Sequence, residues 1–405
     1  MKRFTKLSLA TIATLSTFAT IANASDSIAA AFADSKVKGE LKSVYAKSNF
    51  DPGTQALPAT KDDSILAVGG SLGIITDSFY GIKLGATFQA SSILSDTNKN
   101  AIFANDLNVS GAVLSESYVD YTIANTNLKA GRQFITTPLL SSSLDGKSSE
   151  SLIKDSFEAY VLTNTDIPDT TLVAGYVSKY QGKTNGTQDV SKFNKFQDGA
   201  YTIYAKNTSV ENLTLQAQYL DENGVTSATD KNALYFQADY AMGAHILSAQ
   251  YVSSEDKTQA ANAQEGTLYG LRAMGPIGID KLGYIVAYNS STDRNAPVYT
   301  GAGTGTTDTA FTAMPVNGGG VPTRADTDTL VGGIIVPIAN TTSILYAGKS
   351  TSSTHVLGDV TAMGAIFIYP VVKNFTIKAN FEHVKIEKLA TEDAGTARVY
   401  LSYKF

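Results

Sequence analysis

This chain of 405 residues contains no cysteine, no tryptophan and only three histidines. Without thiols there can be no disulfide, no thiolate metal site and no thiol nucleophile. His245, His355 and His383 are scattered and lack metal-ligand spacing, so no metal and no cofactor is expected. His245 and Ser248 stand three residues apart, which on a strand turns them to opposite faces and spoils a base–nucleophile pair. No P-loop, dinucleotide fingerprint or calcium loop occurs, and no catalytic residue is assigned: the chain does not read as an enzyme. Helix-length apolar runs are also missing. The nearest, Thr329 to Gly348, is uncharged but is broken by Pro337 and by Asn340-Thr341-Thr342, and it reads as strand, turn, strand.

What is present begins at the N-terminus. Lys2, Arg3 and Lys6 precede an uncharged stretch from Leu7 to Ile21, and Ala22-Asn23-Ala24 forms a cleavage box. Residues 1–24 therefore read as a signal peptide that is removed on export, leaving one domain over residues 25–405. Of the 32 basic residues the peptide carries three, so the mature chain has 29 against 37 acidic, a net −8. That balance excludes a nucleic-acid-binding surface and favours cations weakly near the protein.

The last ten residues, TARVYLSYKF, put Val399, Leu401, Tyr403 and Phe405 on one parity and Arg398, Tyr400, Ser402 and Lys404 on the other. Side chains alternate along a strand, so this ending has one apolar and one polar face. An amphipathic terminal strand with a free edge invites aggregation, whereas a barrel pairs it with its first strand. Leu401, Tyr403 and Phe405 also form an end of the kind that outer-membrane assembly machinery reads. Segments of similar character lie near 37–47, 64–76, 80–90, 114–124, 128–135, 156–164, 170–180, 198–207, 212–221, 233–242, 244–253, 266–275, 280–289, 328–337, 342–350, 359–369, 374–385 and 396–405. Linkers after even-numbered segments are short and those after odd-numbered ones are long, as a barrel with both termini in the periplasm requires. The expected fold is an all-β, transmembrane antiparallel barrel of 18 strands, or 16 if two weak hairpins are misread, closed by the first and last strands. A soluble sandwich would alternate similarly, but not through so long an uninterrupted series. A mean hydropathy of −0.05 suits a wall with one face on lipid and one on water, and 21 Tyr and 17 Phe supply interfacial rings. One short helix or frayed turn is expected at Ser27 to Asp34.

The stretches SESYVDYTIANTNLKAGRQFITTPLL and DSFEAYVLTNTDIPDTTLVAGYVSKYQG resemble the central region of the OprD-type porin family, closest to the major outer-membrane porins of epsilon-class proteobacteria. SIAAAFADSKVKGELK is similar to that group's mature start. The resemblance spans about residues 27–47 and 114–182 and is carried elsewhere by rhythm. It implies an eighteen-stranded, commonly trimeric diffusion channel for ions and small hydrophilic solutes. It also implies a third extracellular loop, here residues 136–155, that folds inward to narrow the path. Outer-membrane lipid and lipopolysaccharide would surround such a barrel.

A channel filters by width and by charge at its neck, and a charge facing lipid at mid-depth costs about 2–4 kcal/mol. Parity accordingly turns Lys83, Glu116, Tyr118, Asp120, Glu158, Arg272, Lys378 and Arg398 inward. Arg132 shares the outward parity of Leu128 and Phe134; a local bulge or an interfacial position is expected to bring it to the constriction. Lys38, Glu40 and Lys42 share a parity and read as residues of the periplasmic rim. In the constriction loop, Asp145, Glu150 and Asp155 face Lys147 and Lys154, and Ser141, Ser142 and Ser143 are expected to offer hydroxyls to the channel. The longest linker, 290–327, is rich in Gly and Thr and reads mainly as a mobile surface loop that could also fold inward. A second reading keeps the barrel but gives it a structural or adhesive role, with conduction incidental.

Overall fold

The structure, a computed structural model, describes residues 25–49, 63–97, 103, 105–223, 230–257, 264–279, 281–292, 296–316, 318–355, 358–388 and 394–405. The proposed signal peptide lies outside the described residues. Eighteen antiparallel strands form the wall. They are β1 Lys36–Ser48, β2 Asp63–Ile75, β3 Ile82–Asp96, β4 Val109–Ile123, β5 Thr126–Gln133, β6 Ser156–Asn164, β7 Thr170–Gln181, β8 Asn194–Asn207 and β9 Leu213–Glu222. The second half comprises β10 Lys231–Met242, β11 His245–Asp256, β12 Gln264–Pro276, β13 Gly283–Ser291, β14 Thr327–Ile338, β15 Thr341–Ser352, β16 Val360–Val372, β17 Phe375–Ile386 and β18 Ala394–Lys404. Each strand pairs with its neighbours in sequence. β1 pairs with β18 from Glu40↔Lys404 to Ser48↔Thr396, which closes the cylinder and leaves it no edge.

Alternation dictates the two surfaces. Val399, Leu401 and Tyr403 project outward with Leu41 and Tyr45 of β1 beside them. Rings accumulate on the outer wall: Tyr160, Tyr176 and Tyr201 form one chain with centroid spacings of 6.4 and 5.0 Å, and Phe236, Tyr251 and Tyr269 form another at 6.5 and 5.3 Å. Such belts seat amphipathic rings at a membrane–water boundary.

The inward face changes character along its height. On β17, Lys378, Asn380 and Glu382 give way to Val384 and Ile386 towards the loop end; on β1, Glu40 and Lys42 give way to Val44 and Ala46. The apolar upper band is covered by extracellular loops that enter the barrel. Leu139 and Leu140 pack with Phe157, Ala159, Leu220, Tyr235 and Leu268, joined by Val298 and Ala310 from the longest loop. Phe103, Leu107 and Leu152 cover Val44, Ala46, Ile65 and Tyr400, while Met314 and Val321 cover β14 to β17.

A short helix, α1 Ile28–Ala33, is capped by Ser27 Oγ, which accepts from Ala30 N at 3.1 Å. It is tied to the β2–β3 turn, where Asp77 N donates to Ala31 O at 3.0 Å and Ser25 N donates to Ser78 O at 2.9 Å.

Two inward assignments are corrected. Glu158 alternates with Phe157 and Ala159, which the loop packing draws inside, so it shares the outward face of Tyr160 and Leu162. Arg132 is opposite Glu158 in the register and likewise faces out, at the extracellular end of β5, with no bulge to redirect it. The linker after β13 is corrected as well: its described part, 296–316 and 318–326, runs inside the barrel and not over the surface.

Candidate functional constriction

Loop L3 (residues 134–155) leaves the wall after β5 and crosses the lumen as a small hairpin, Thr136–Thr137 against Leu140–Ser141. The described part of loop L7 (residues 296–316 and 318–326) lies directly on it. Ala302 N donates to Leu139 O and Ser141 N to Ala302 O, each at 3.0 Å. The approach depends on glycine: a Cβ at Gly301, Gly303 or Gly305 would run into the carbonyl oxygens of Leu139, Ser141 or Ser142. Two carboxylates fasten the pair. Asp308 of L7 accepts from Ser148 Oγ and Ser149 Oγ, both at 2.6 Å, and from their backbone N–H groups at 3.1 and 3.2 Å. Asp155 accepts from Ser143 Oγ (2.8 Å), Tyr180 Oη (2.9 Å), and Thr304 N and Oγ1 (both 2.8 Å). One carboxylate thereby joins L3, the wall and L7 in a nearly dry setting, where charge-assisted bonds are strong.

The serine run has a different role from the expected one. Ser141, Ser142 and Ser143 are buried; Ser141 Oγ bonds Ser142 O, Ser142 Oγ accepts from Ile135 N, and Ser143 serves Asp155. Their hydroxyls fasten L3 and do not face the channel.

The acidic face of L3 meets cations of the wall. Lys42 Nζ lies 3.1 Å from Asp145, 3.4 Å from Glu150 and 3.8 Å from Glu40. Lys154 and Lys404 also approach Asp145, at 3.1 and 3.8 Å, and Lys378 pairs with Glu150 while lying over the Tyr400 ring at 4.3 Å. Above them, Asp106 of loop L2 (residues 97–108) sits 2.7 Å from Arg398 and 2.6 Å from Lys183 of loop L4 (residues 182–193). Burial alone would raise the carboxyls of Asp106 and Asp145. Arg398 and Lys183 outweigh it at Asp106, and Lys154, Lys42 and Lys404 outweigh it at Asp145, so both lie below the ordinary carboxylate value. Lys147 is half-buried near Asp308, and the desolvation pushes its ammonium down.

The other inward residues divide into two groups. Across the lumen Arg272 reaches Asp239 at 3.6 Å and Ser248 Oγ at 3.2 Å and stacks on Phe311 of L7 at 4.2 Å. Nearer the periplasmic end, Glu116 accepts from Thr87 Oγ1 at 2.7 Å and pairs with Lys129 at 3.7 Å. Lys129 also lies 3.7 Å above the Tyr118 ring, which covers Gly85 opposite it in the register. Asp120 accepts from Asn127 at 2.6 Å, and Lys83 is next to it in the register. Lys42, Lys404, Asp106, Lys183 and Asp308 were missed or left at the rim by the sequence reading, while Asp155 was placed in the loop without its partners. Only Asp308 had a local signal, the GAGTGTTD spacing in which alternate glycines precede a lone acid.

No family model matches the chain, and no curated protein sequence matches it. Solved structures match in fold. The crystal structure of Pseudomonas aeruginosa OccK9 (OpdG) superposes with a TM-score of 0.75 at 16% identity, covering 93% of this chain and 99% of that one. Pseudomonas aeruginosa OpdO gives 0.72 at 13%, covering 92% and 98%. Acinetobacter baumannii OccAB1 gives 0.72 at 14%, covering 93% and 97%.

Proposed function

We propose that the protein is an outer-membrane porin, a passive channel for ions and small hydrophilic solutes. The observation that carries this reading is a closed wall of eighteen strands, apolar and ringed with aromatics outside, with L3 and L7 packed inside it. The structural neighbours are Occ/OprD-family outer-membrane porins, which supports the same role here. Export by the signal peptide, recognition of Leu401, Tyr403 and Phe405 by the assembly machinery, a homotrimer and contact with lipopolysaccharide belong to the same proposal.

Selectivity is set at the neck. The net −8 of the mature chain favours cations, but the cluster where L3 meets β1, β17 and β18 favours the opposite sign. Lys42, Lys154, Lys183, Lys378, Arg398 and Lys404 face Glu40, Asp106, Asp145 and Glu150, six cations against four carboxylates, a net +2. Local charge outweighs distant charge across a Debye length of about 8 Å, so we propose weak anion preference. Single-channel recording of purified protein in a KCl gradient tests both parts. Ohmic conductance with a reversal potential on the anion side is expected. Absence of conductance would leave the structural or adhesive role, and a clear cation-side potential would reject the charge assignment.

A further inference from the structure

We infer that the outer wall carries a binding site for a phosphorylated lipid headgroup of the outer leaflet, built across β5, β6, β7 and β8. Strand register places Arg132 opposite Glu158, Glu158 opposite Lys179, and Lys179 opposite Lys195. The four side chains form a straight row on one face, and each lies within two residues of the extracellular end of its strand. Glu158 is already engaged, with Lys179 at 2.7 Å and Arg132 at 3.6 Å, so the row retains a net +2. Arg132 is held flat under the Phe193 ring at 4.2 Å, which fixes the guanidinium at the rim. Lys179 and Lys195 stand directly opposite each other. Like charges in that position destabilise a strand pair unless an anion lies between them.

The rows beneath identify the anion's source. Nearer the periplasm, beyond an irregularity of the ladder that follows Glu158 on β6 and separates Lys195 from Ala200 on β8, Tyr160, Tyr176 and Tyr201 are paired across the same strands. A step further down, Leu162, Ala174 and Ile203 follow. Cation, phenol and aliphatic surface succeed one another in the order phosphate, glycerol or sugar, and acyl chain of a lipid. A free phosphate would use only the first row, and Tyr160, Tyr201, Leu162 and Ile203 would then have no role in binding although all four are well exposed. A merely solvated rim charge would not need its two lysines opposed.

The site rests on the outer-membrane placement proposed above but not on conduction. Folded barrel in detergent, checked by heat-modifiable migration and by conductance, is titrated with a bisphosphorylated glycolipid, its dephosphorylated form and phosphatidylcholine, with bound lipid counted by native mass spectrometry. The wild type should prefer the phosphorylated lipid by about tenfold or more, and Lys179→Gln/Lys195→Gln should erase that preference. Lys349→Gln/Lys385→Gln, outward lysines elsewhere on the wall, should leave it intact. Conducting protein that binds all three lipids alike, or a double variant that binds as the wild type does, would overturn the site and leave the channel reading standing. Complete displacement of the glycolipid by inorganic phosphate, with unchanged binding in Tyr160→Ala/Tyr201→Ala, would also overturn the lipid assignment.

Discussion

At the residue scale, the packing of L3 and L7 inside the barrel depends on a few carboxylates whose partners are distant in sequence. Asp308 accepts four hydrogen bonds from Ser148 and Ser149 of L3. Its removal leaves those part-buried donors without this acceptor, at a cost of about 1–3 kcal/mol. Asp308→Ala should therefore lower the thermal midpoint and make L7 cleavable by added protease, whereas an exposed-loop variant such as Asn185→Ala should do neither. Asp106 makes a prediction about pH. Its carboxyl is depressed in the fold, so the stability it contributes is present above the unfolded carboxylate value of about 4 and is lost only as pH falls through the lower folded value. Conductance and L2 protection should thus hold constant from pH 7 to about pH 5, and Asp106→Asn should release L2 already at pH 7. Arg132 and Glu158 show where residue-level reading stops. The rule that charge faces water assigned Glu158 inward, but Phe157 and Ala159 are claimed by the loop packing, and near the extracellular rim the outer face tolerates charge.

At the element scale, much of the fold was legible. Period-two alternation is a local property, and all eighteen segments read from it correspond to strands, though β3 and β4 extend further on the extracellular side than 80–90 and 114–124 suggest. Illegible was the change of polarity along each inward face, because Val384 and Ile386 are explained only by what L7 lays against them. Lys42 was left at the periplasmic rim for the same reason: its importance comes from Asp145 and Glu150, more than a hundred residues away. The β1–β18 junction can be tested as an element. Phe405 exchanges backbone hydrogen bonds with Gly39 at 2.9 and 3.0 Å, and its ring covers that glycine, where a side chain would collide with it and with Ser71 O. Gly39→Val should therefore slow or block barrel closure, seen as loss of the heat-modifiable band, while Gly332→Val, where a Cβ meets nothing, should assemble normally.

For the whole molecule, two loops and not one enter the barrel and pack on each other inside it. The inward course of L3 was implied by the resemblance; for L7 it was only the lesser of two readings, because Gly and Thr carry no periodic signal and its anchors, Gln250 and Asn289 on the wall among them, are not its neighbours in sequence. Excising residues 301–316 with a short Gly-Ser replacement should raise single-channel conductance severalfold if L7 occupies the lumen, and unchanged conductance would place the neck elsewhere.

When β5 turns into the lumen it abandons the upper part of β4. The ladder between them covers only Ser117 to Ile123. Above that, Ser156 Oγ caps Ser115 O, the Arg132 guanidinium reaches Leu114 O at 3.3 Å, and Gln188–Asp189 lies parallel to Val109–Ser110. A cylinder stitched there by side chains and a two-residue patch has a seam. Its weakest stave is known in advance: those amides of residues 109–115 that point away from β3 should take up deuterium before the paired amides of neighbouring strands, and a mechanical pull on the wall should part it along that line.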